Sequence, residues 1–153
     1  MFKLFFSLIL LFLTPLAADT APLQDKAAEL YSSALRAMSC KDYTRAKKVF
    51  LELLENHKAP TNIVEEVELQ IIEAEIGLCN YQIARIRIKA LLNRPNLPFL
   101  HFRSKMLLAQ LEFDERHIQE AARLLKEQET ICPLKDWPLQ YKVLYATIEL
   151  LKE

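Results

Sequence analysis

Apolar residues recur along most of the chain at the spacing of amphipathic helices. From Leu23 onward they return every three or four positions, and Pro, Asn and Asp interrupt the pattern at regular intervals. The spacing predicts seven helices, over residues 23–39, 42–57, 61–79, 81–93, 98–114, 117–130 and 137–152. Pro60, Pro95 and Pro133 fall between them, because proline lacks a backbone N–H and cannot continue a helix. The predicted fold class is therefore all-α.

The predicted helices repeat in pairs. Residues 105–113 (KMLLAQLEF) align with residues 142–150 (KVLYATIEL) at a shift of 37, and with residues 68–76 (ELQIIEAEI) at the same shift backward. The second helices share a small residue followed four positions later by a large apolar one: Ala46-x3-Phe50, Ala84-x3-Ile88 and Ala121-x3-Leu125. Because neither helix of a pair can bury its apolar face alone, we expect the pairs to stack on one another.

This pattern resembles the tetratricopeptide repeat, in which two small residues lie twelve positions apart and a proline follows twelve positions later. Ala109, Ala121 and Pro133 have that spacing in the third pair, and Ala34 and Ala46 have it in the first. The resemblance covers residues 23–152, with a period of 37–38 where the family has 34 and with charged residues at bulky positions of its first helices. It implies an α-solenoid of about three and a half helix-turn-helix repeats.

Tetratricopeptide domains bind peptides in a groove lined by the first helix of each pair. Carried over by position, the resemblance implies that the partner-binding residues are Tyr31, Leu35, Met38, Glu66, Leu69, Glu73, Ile76, Arg103, Met106, Gln110, Phe113, Gln140, Val143, Thr147 and Leu150. A matching partner segment offers apolar anchors and a Lys or Arg near Glu66 and Glu73. The alternative interpretation is that the apolar members pack between adjacent first helices as core residues. These members are Leu69, Ile76, Met106, Phe113 and Val143.

The first eighteen residues differ from the rest of the chain. Lys3 precedes a ten-residue apolar run over 4–13, and Pro15 and two small residues ending at Ala18 follow it, which is typical of a cleaved secretory signal peptide. The run is shorter than the roughly 20 residues of a spanning helix. We predict a signal peptide over 1–18, a helical-repeat domain over 19–153, and export to the periplasm or cell envelope of a bacterium. No Asn-x-Ser/Thr acceptor is present, which favours a bacterial envelope over a eukaryotic secretory route.

Two alternatives to this location remain open. A retained segment over 1–18 makes the protein a membrane-anchored assembly factor, and only in that case do we expect contact with a membrane. Secretion is the other alternative to an envelope location.

Composition narrows the class of function. Twenty basic residues balance twenty acidic ones, which argues against a nucleic-acid partner. Gly77 is the only glycine, so a glycine-rich phosphate loop is excluded. His57, His101 and His117 have no Cys, Asp or Glu at metal-ligand spacing. We therefore predict a non-enzymatic module that binds another protein as an adaptor, scaffold or chaperone, with no catalytic, metal or cofactor site; an envelope hydrolase is the less favoured alternative.

The cysteines and the last helix carry two further expectations. Cys40, Cys79 and Cys132 are an odd number, so no disulfide framework holds the fold. We expect Cys40 and Cys79 to be buried free thiols, and a bridge between them is the less favoured alternative. The helix over 137–152 is the first half of a fourth pair and has too many apolar residues for one covered face. It is either an ordinary cap or a surface for self-association or partner docking.

Overall fold

The computed structural model describes residues 21–56, 61–95 and 97–151, and these stretches contain helices and no β-strand. The helices are α1 Ala21–Ser39, α2 Tyr43–Asn56, α3 Thr61–Gly77, α4 Tyr81–Leu92, α5 Pro98–Asp114, α6 Ile118–Ile131 and α7 Leu139–Leu150. The all-α class and the seven predicted helices are confirmed, and each end lies within two residues of its predicted place.

A short 3-10 helix, Leu134–Asp136, precedes α7 and was not predicted. Because Pro138 adopts extended backbone, with ψ at 144°, α7 begins at Leu139, two residues after its predicted start. The predicted signal peptide and His57 lie outside the described residues. None of the helices in the described stretches has the length and apolar character needed to cross a membrane.

The same tight turn joins the two helices of each pair. Lys41, Cys79 and Arg116 adopt positive φ angles of 59°, 59° and 67°, in the left-handed region. After α1 the N–H of Lys41 donates to the carbonyl of Met38 at 2.9 Å, and the next N–H reaches the carbonyl one residue further back. These two bonds are a Schellman motif, and equivalent bonds follow α3 and α5. The turns are 38 and 37 residues apart, so the backbone repeats with the period of the sequence.

The cysteines lie at or near the ends of helices as free thiols. Cys79 occupies a left-handed turn position, and Cys40 directly precedes the equivalent one; both are exposed. The expectation of buried thiols is therefore wrong for these two residues, because the turn carries their side chains beyond the packed faces. Cys132 follows α6 and is partly buried.

The apolar core consists of three clusters that follow one another along the chain. The first joins α1, α2 and α3, the second joins α3, α4 and α5, and the third joins α5, α6 and α7. The small and large residues that the second helices repeat are all fully buried: Ala46, Phe50, Ala84, Ile88, Ala121 and Leu125. Because α3 and α5 each belong to two clusters, the helix pairs pack in succession, which gives a repeat-like helical fold.

Buried ion pairs link successive pairs at equivalent positions. Glu75 on α3 is 2% exposed and lies 3.4 Å from the ammonium of Lys47 on α2. Glu112 on α5, thirty-seven positions later, is 6% exposed and contacts Arg85 on α4. Removing one member of a buried pair leaves an uncompensated charge, at a cost of about 3–5 kcal/mol. Two of the charged residues that depart from the tetratricopeptide pattern, Glu75 and Glu112, therefore belong to the packing between pairs.

Candidate binding groove

Two adjoining cavities open between the first helices of the pairs. One has a volume of about 560 Å³ and is bounded by α1, α3, α5 and the beginning of α7. The other has a volume of about 510 Å³ and extends towards the ends of α3 and α5. Tyr43, Glu73, Gln140 and Tyr141 lie in the walls of both cavities. We call the two together the first-helix groove.

Seven of the fifteen residues predicted to bind a partner line this groove. They are Leu35, Met38, Glu73, Ile76, Arg103, Gln110 and Gln140. They come from four different helices, and they meet because the first helices lie side by side with their inner turns facing the same space. The groove therefore combines residues from three pairs and from α7.

The other eight predicted residues lie elsewhere. Leu69 and Met106 are fully buried in the core, where they pack against the second helix of their own pair. Phe113 and Tyr31 are partly buried against core clusters, and the Tyr31 ring meets Phe50 edge to face at 6.1 Å. Glu66 is partly buried and contacts Arg103 beside the groove. On α7 the hydroxyl of Thr147 donates to the Val143 carbonyl at 2.9 Å, and Val143 and Leu150 are exposed.

Glu73 is a groove carboxylate without an ion pair among the described residues. Arg103, the cation whose charge acts on Glu73, forms its ion pair with Glu66, and a second basic residue, Lys41, lines the cavity towards the ends of α3 and α5. Glu73 has no hydrogen bond or ion pair to any of the described residues. Burial raises the pKa of Glu73, the charge of Arg103 opposes the shift, and Glu66 adds to it. The raised pKa means that the site holds the ionised carboxylate at a cost, because neither water nor protein solvates it fully.

Burial also raises the pKa of two other groove residues, Tyr141 and Asp114. Burial raises the pKa of Tyr141 to about 12, and the charge of Glu73 contributes to the shift. Burial likewise raises the pKa of Asp114, although the Gln110 amide donates to it at 2.8 Å and opposes the shift. The lining of the groove thus contains two carboxylates, Glu73 and Asp114, and two basic residues, Arg103 and Lys41, and both carboxylates are partly desolvated.

Tyr43 and Gly77 shape the groove and were missed from the sequence. Tyr43 begins α2 and its ring lies against Gly77, the last residue of α3, so closely that a methyl group at Gly77 would approach the ring to 2.5 Å. Glycine is required here for this close approach. The single glycine of the sequence was the signal, since a lone glycine at a helix end often marks a close contact.

A second charged cluster lies away from the groove at the turn between α5 and α6. Glu112, Glu115 and His117 place possible metal-ligand atoms within 4.8 Å of one another, a grouping that sequence spacing did not reveal. The guanidinium of Arg85 contacts both carboxylates, and His117 Nδ1 lies 2.8 Å from Glu112. Burial raises the pKa of Glu112, but the bonds from Arg85 and His117 outweigh it and hold that pKa below its usual value. Arg85 therefore occupies the position that a metal cation would take.

Comparison with known proteins gives no relative of this chain. No protein-family model matches it, and no curated protein or solved structure matches it significantly.

Proposed function

We propose that the protein is an exported interaction module of the bacterial cell envelope that binds a segment of another polypeptide in the first-helix groove. The segment carries a Lys or Arg side chain that pairs with Glu73. The single observation that carries the proposal is the unpaired Glu73 carboxylate in the walls of both cavities, beside an arginine that Glu66 already neutralises.

A bound cation improves the environment of Glu73. Glu73 is a partly desolvated carboxylate that has no hydrogen-bond or ion-pair partner in the part of the chain that the structure describes, and a basic side chain supplies both the missing charge and the missing hydrogen bonds. Hydrogen bonds to charged groups contribute about 1.5–3 kcal/mol, which corresponds to roughly 10- to 100-fold in affinity. Tyr43 and Tyr141 lie in the same walls.

The remaining walls favour apolar anchors next to that cation. Leu35, Met38 and Ile76 border the cavities, and Leu35 is 37% exposed, so its side chain is accessible to a ligand. Gln140 is exposed at the rim and offers an amide to the backbone of an extended segment. This combination suits a peptide with one basic residue flanked by apolar residues.

The stacking that this proposal assumes is a tetratricopeptide-like solenoid. Its support is the agreement of three independent features: the sequence period, the left-handed turns at Lys41, Cys79 and Arg116, and the core clusters that join each pair to the next helix. Quasi-equivalent units stacked in this way present their first helices along one surface.

Export is the cellular part of the proposal, and its support is the sequence of residues 1–18. The test is N-terminal sequencing of the protein recovered from its native host. A chain that begins at Asp19 supports a cleaved leader, and a chain that retains residues 1–18 supports the membrane-anchored assembly factor instead.

The binding proposal is tested by selecting peptides on the purified residues 19–153 from a displayed random library. We expect the selected sequences to share a Lys or Arg with apolar neighbours, and we expect Glu73→Gln to weaken their binding at least about tenfold. Glu55→Gln is the matched control, because Glu55 is exposed on α2 and lies outside the groove. Because burial disfavours the ionised form of Glu73, we expect Glu73→Gln to be as stable as the wild type, and thermal melts of both proteins check that lost binding does not come from unfolding.

Two results would overturn the proposal. One is a selection that yields no peptide above background. The other is a set of peptides whose affinity is equal for the wild type and for Glu73→Gln.

A further inference from the structure

We propose that the outward face of α7 docks an amphipathic helix of another polypeptide, seated on α7 as α6 is seated on α5. This surface is separate from the first-helix groove. It consists of Leu139, Val143, Ala146 and Leu150, which we call the α7 face.

The inner first helices, α3 and α5, each have two apolar faces, and the internal repeat shows what each face contacts. On α3, Val67 and Ile71 pack with the preceding second helix α2, while Leu69 and Ile72 pack with the helix of their own pair, α4. On α5, Met106 packs in one cluster with α6. The α7 face is equivalent to the face of α5 that packs with α6. Each residue of the α7 face lies 37 positions after an α5 residue of the cluster that contains Met106.

The α7 face has no cover among the described residues. The other side of α7 is buried, with Tyr141 and Leu144 each 5% exposed and Ile148 fully buried. On the α7 face, in contrast, Leu139 is 76% exposed and Leu150 is 72% exposed. The position equivalent to Val143 on α5 is Met106, which α6 and its neighbours bury completely.

At the opposite end of the stack, the outward face of α1 is polar instead of apolar. The α1 positions equivalent to Val67, Ile71 and Ala74 are Glu29, Ser33 and Arg36, so the outward face of α1 is polar. A terminal repeat with a polar outer face is what solubility requires when nothing stacks on it. The α7 face lacks this finish, which marks it as a contact surface.

The chemistry of the occupant follows from the three second helices. Each places an alanine against its first helix and a large apolar residue four positions later, as α6 does with Ala121 and Leu125. Ala146 lies on the α7 face and likewise allows close approach. Head-to-tail stacking of two copies does not supply such a helix, because it would set the α7 face against the polar face of α1. The matching occupant is therefore a partner helix with the pattern small-x3-large.

Lys142 adds a charge preference. The α3 residue equivalent to Lys142 is Glu68, which bonds Arg94 just after α4, and the α5 residue is Lys105, which lies 3.9 Å from Glu127 in the C-terminal half of α6. The Lys142 ammonium donates to the carbonyl of Lys135 at 2.5 Å, and its charge, at the position equivalent to Lys105, favours an acidic residue in the C-terminal half of the docked helix.

The probe is a synthetic peptide of residues 117–131, the sequence of α6, labelled and titrated against the purified protein by fluorescence anisotropy. We expect saturable binding that weakens at least about tenfold in the Val143→Glu variant of the protein. Val143 is 57% exposed, so this change leaves the fold intact, which circular dichroism checks. Ile86→Glu is the matched control at a residue that is 68% exposed on α4, and it leaves binding unchanged.

Because a free helix of this length is ordered only on binding, the same peptide is also fused after Glu153, where its effective concentration is in the millimolar range. The fused chain is expected to unfold at a higher temperature than a fusion carrying Ala121→Glu and Leu125→Glu in the added segment. Equal unfolding temperatures for the two fusions, together with no binding of the free peptide, overturn the proposal. A concentration-dependent dimer that Val143→Glu abolishes, found without peptide binding, overturns it in favour of self-association through α7.

Discussion

Gln128 on α6 can be compared directly with the residues at the same position of the other second helices. In the two preceding second helices the equivalent residues are Leu53 and Leu91, which are 0% and 2% exposed. Gln128 is equally buried, yet among the described residues neither its side-chain nitrogen nor its side-chain oxygen has a hydrogen-bond partner. The repeat therefore tolerates leucine at this position twice and carries an unsatisfied amide once.

The expected effect of Gln128→Leu follows from that environment. A buried amide without a hydrogen bond costs about 1–3 kcal/mol by protein mutational data. Leucine removes this cost and adds apolar contact within the cluster that contains Leu124 and Leu125. We expect the free energy of unfolding to rise by about 1–3 kcal/mol, which raises the melting temperature by roughly 3–10 °C for a domain of this size.

The assay is urea denaturation followed by circular dichroism, with an unchanged m-value as the sign that the transition stays comparable. Leu91→Gln is the reciprocal control and is expected to destabilise by at least about 2 kcal/mol. A Gln128→Leu variant that is less stable than the wild type would refute the reasoning, because it would mean that the amide forms hydrogen bonds in solution that stabilise the fold.

Three further predictions concern the turns, the ion pairs and the groove. Arg116 adopts a left-handed conformation that glycine adopts without strain, so Arg116→Gly is expected to raise the free energy of unfolding by about 0.5–1 kcal/mol in urea denaturation. Lys126→Gly, within α6, is expected to lower it by about 1 kcal/mol. Equal effects of the two changes would contradict the turn assignment. Because the lowered pKa of Glu112 makes the unfolded chain bind more protons, stability is retained above the usual carboxyl pKa of 4.5 and is lost as the pH falls through the lowered value. Arg85→Gln is accordingly expected to cost about 3 kcal/mol at pH 7 and less at pH 3, and a gap that does not narrow in acid would disprove the linkage. Gly77→Ala is expected to cost about 1–3 kcal/mol through its clash with Tyr43 and to become neutral or stabilising in a Tyr43→Ala background, as thermal melts of the four variants would show.

The stability of the groove and its binding are expected to oppose each other at Glu73. Its raised pKa means that ionisation at neutral pH works against the folded state, so a fold selected for stability alone would carry a neutral residue there. The α7 face is a similar case, since Leu139 and Leu150 are exposed where a polar residue would be more soluble. Glu73 lowers the stability of the isolated domain and the α7 face lowers its solubility, and a bound partner would offset both effects.

The charged residues of the first helices show where local reasoning stops. From the sequence, Glu75 and Glu112 depart from an apolar repeat pattern. Asn80 and His117, each five residues later, contact them at the turn, but their ion-pair partners are not nearby in the chain. Their partners, Lys47 and Arg85, lie twenty-seven or twenty-eight residues earlier on a different helix. Lys47 and Arg85 are 38 residues apart and Glu75 and Glu112 are 37 residues apart, so both members of the pair repeat with the period of the sequence. This shared period was the signal that could have predicted the ion pairs.

The sequence by itself determined the helices, their ends, their pairing and their period, because helical spacing and proline positions act over a few residues and each repeat restates them. Only the tertiary structure decided which face of each first helix is core and which is groove. Leu69 and Glu73 lie one turn apart on α3, yet Leu69 is buried by α4 while Glu73 faces the groove beside α7. That difference depends on how neighbouring helices cross, which is set by packing between side chains distant in the sequence.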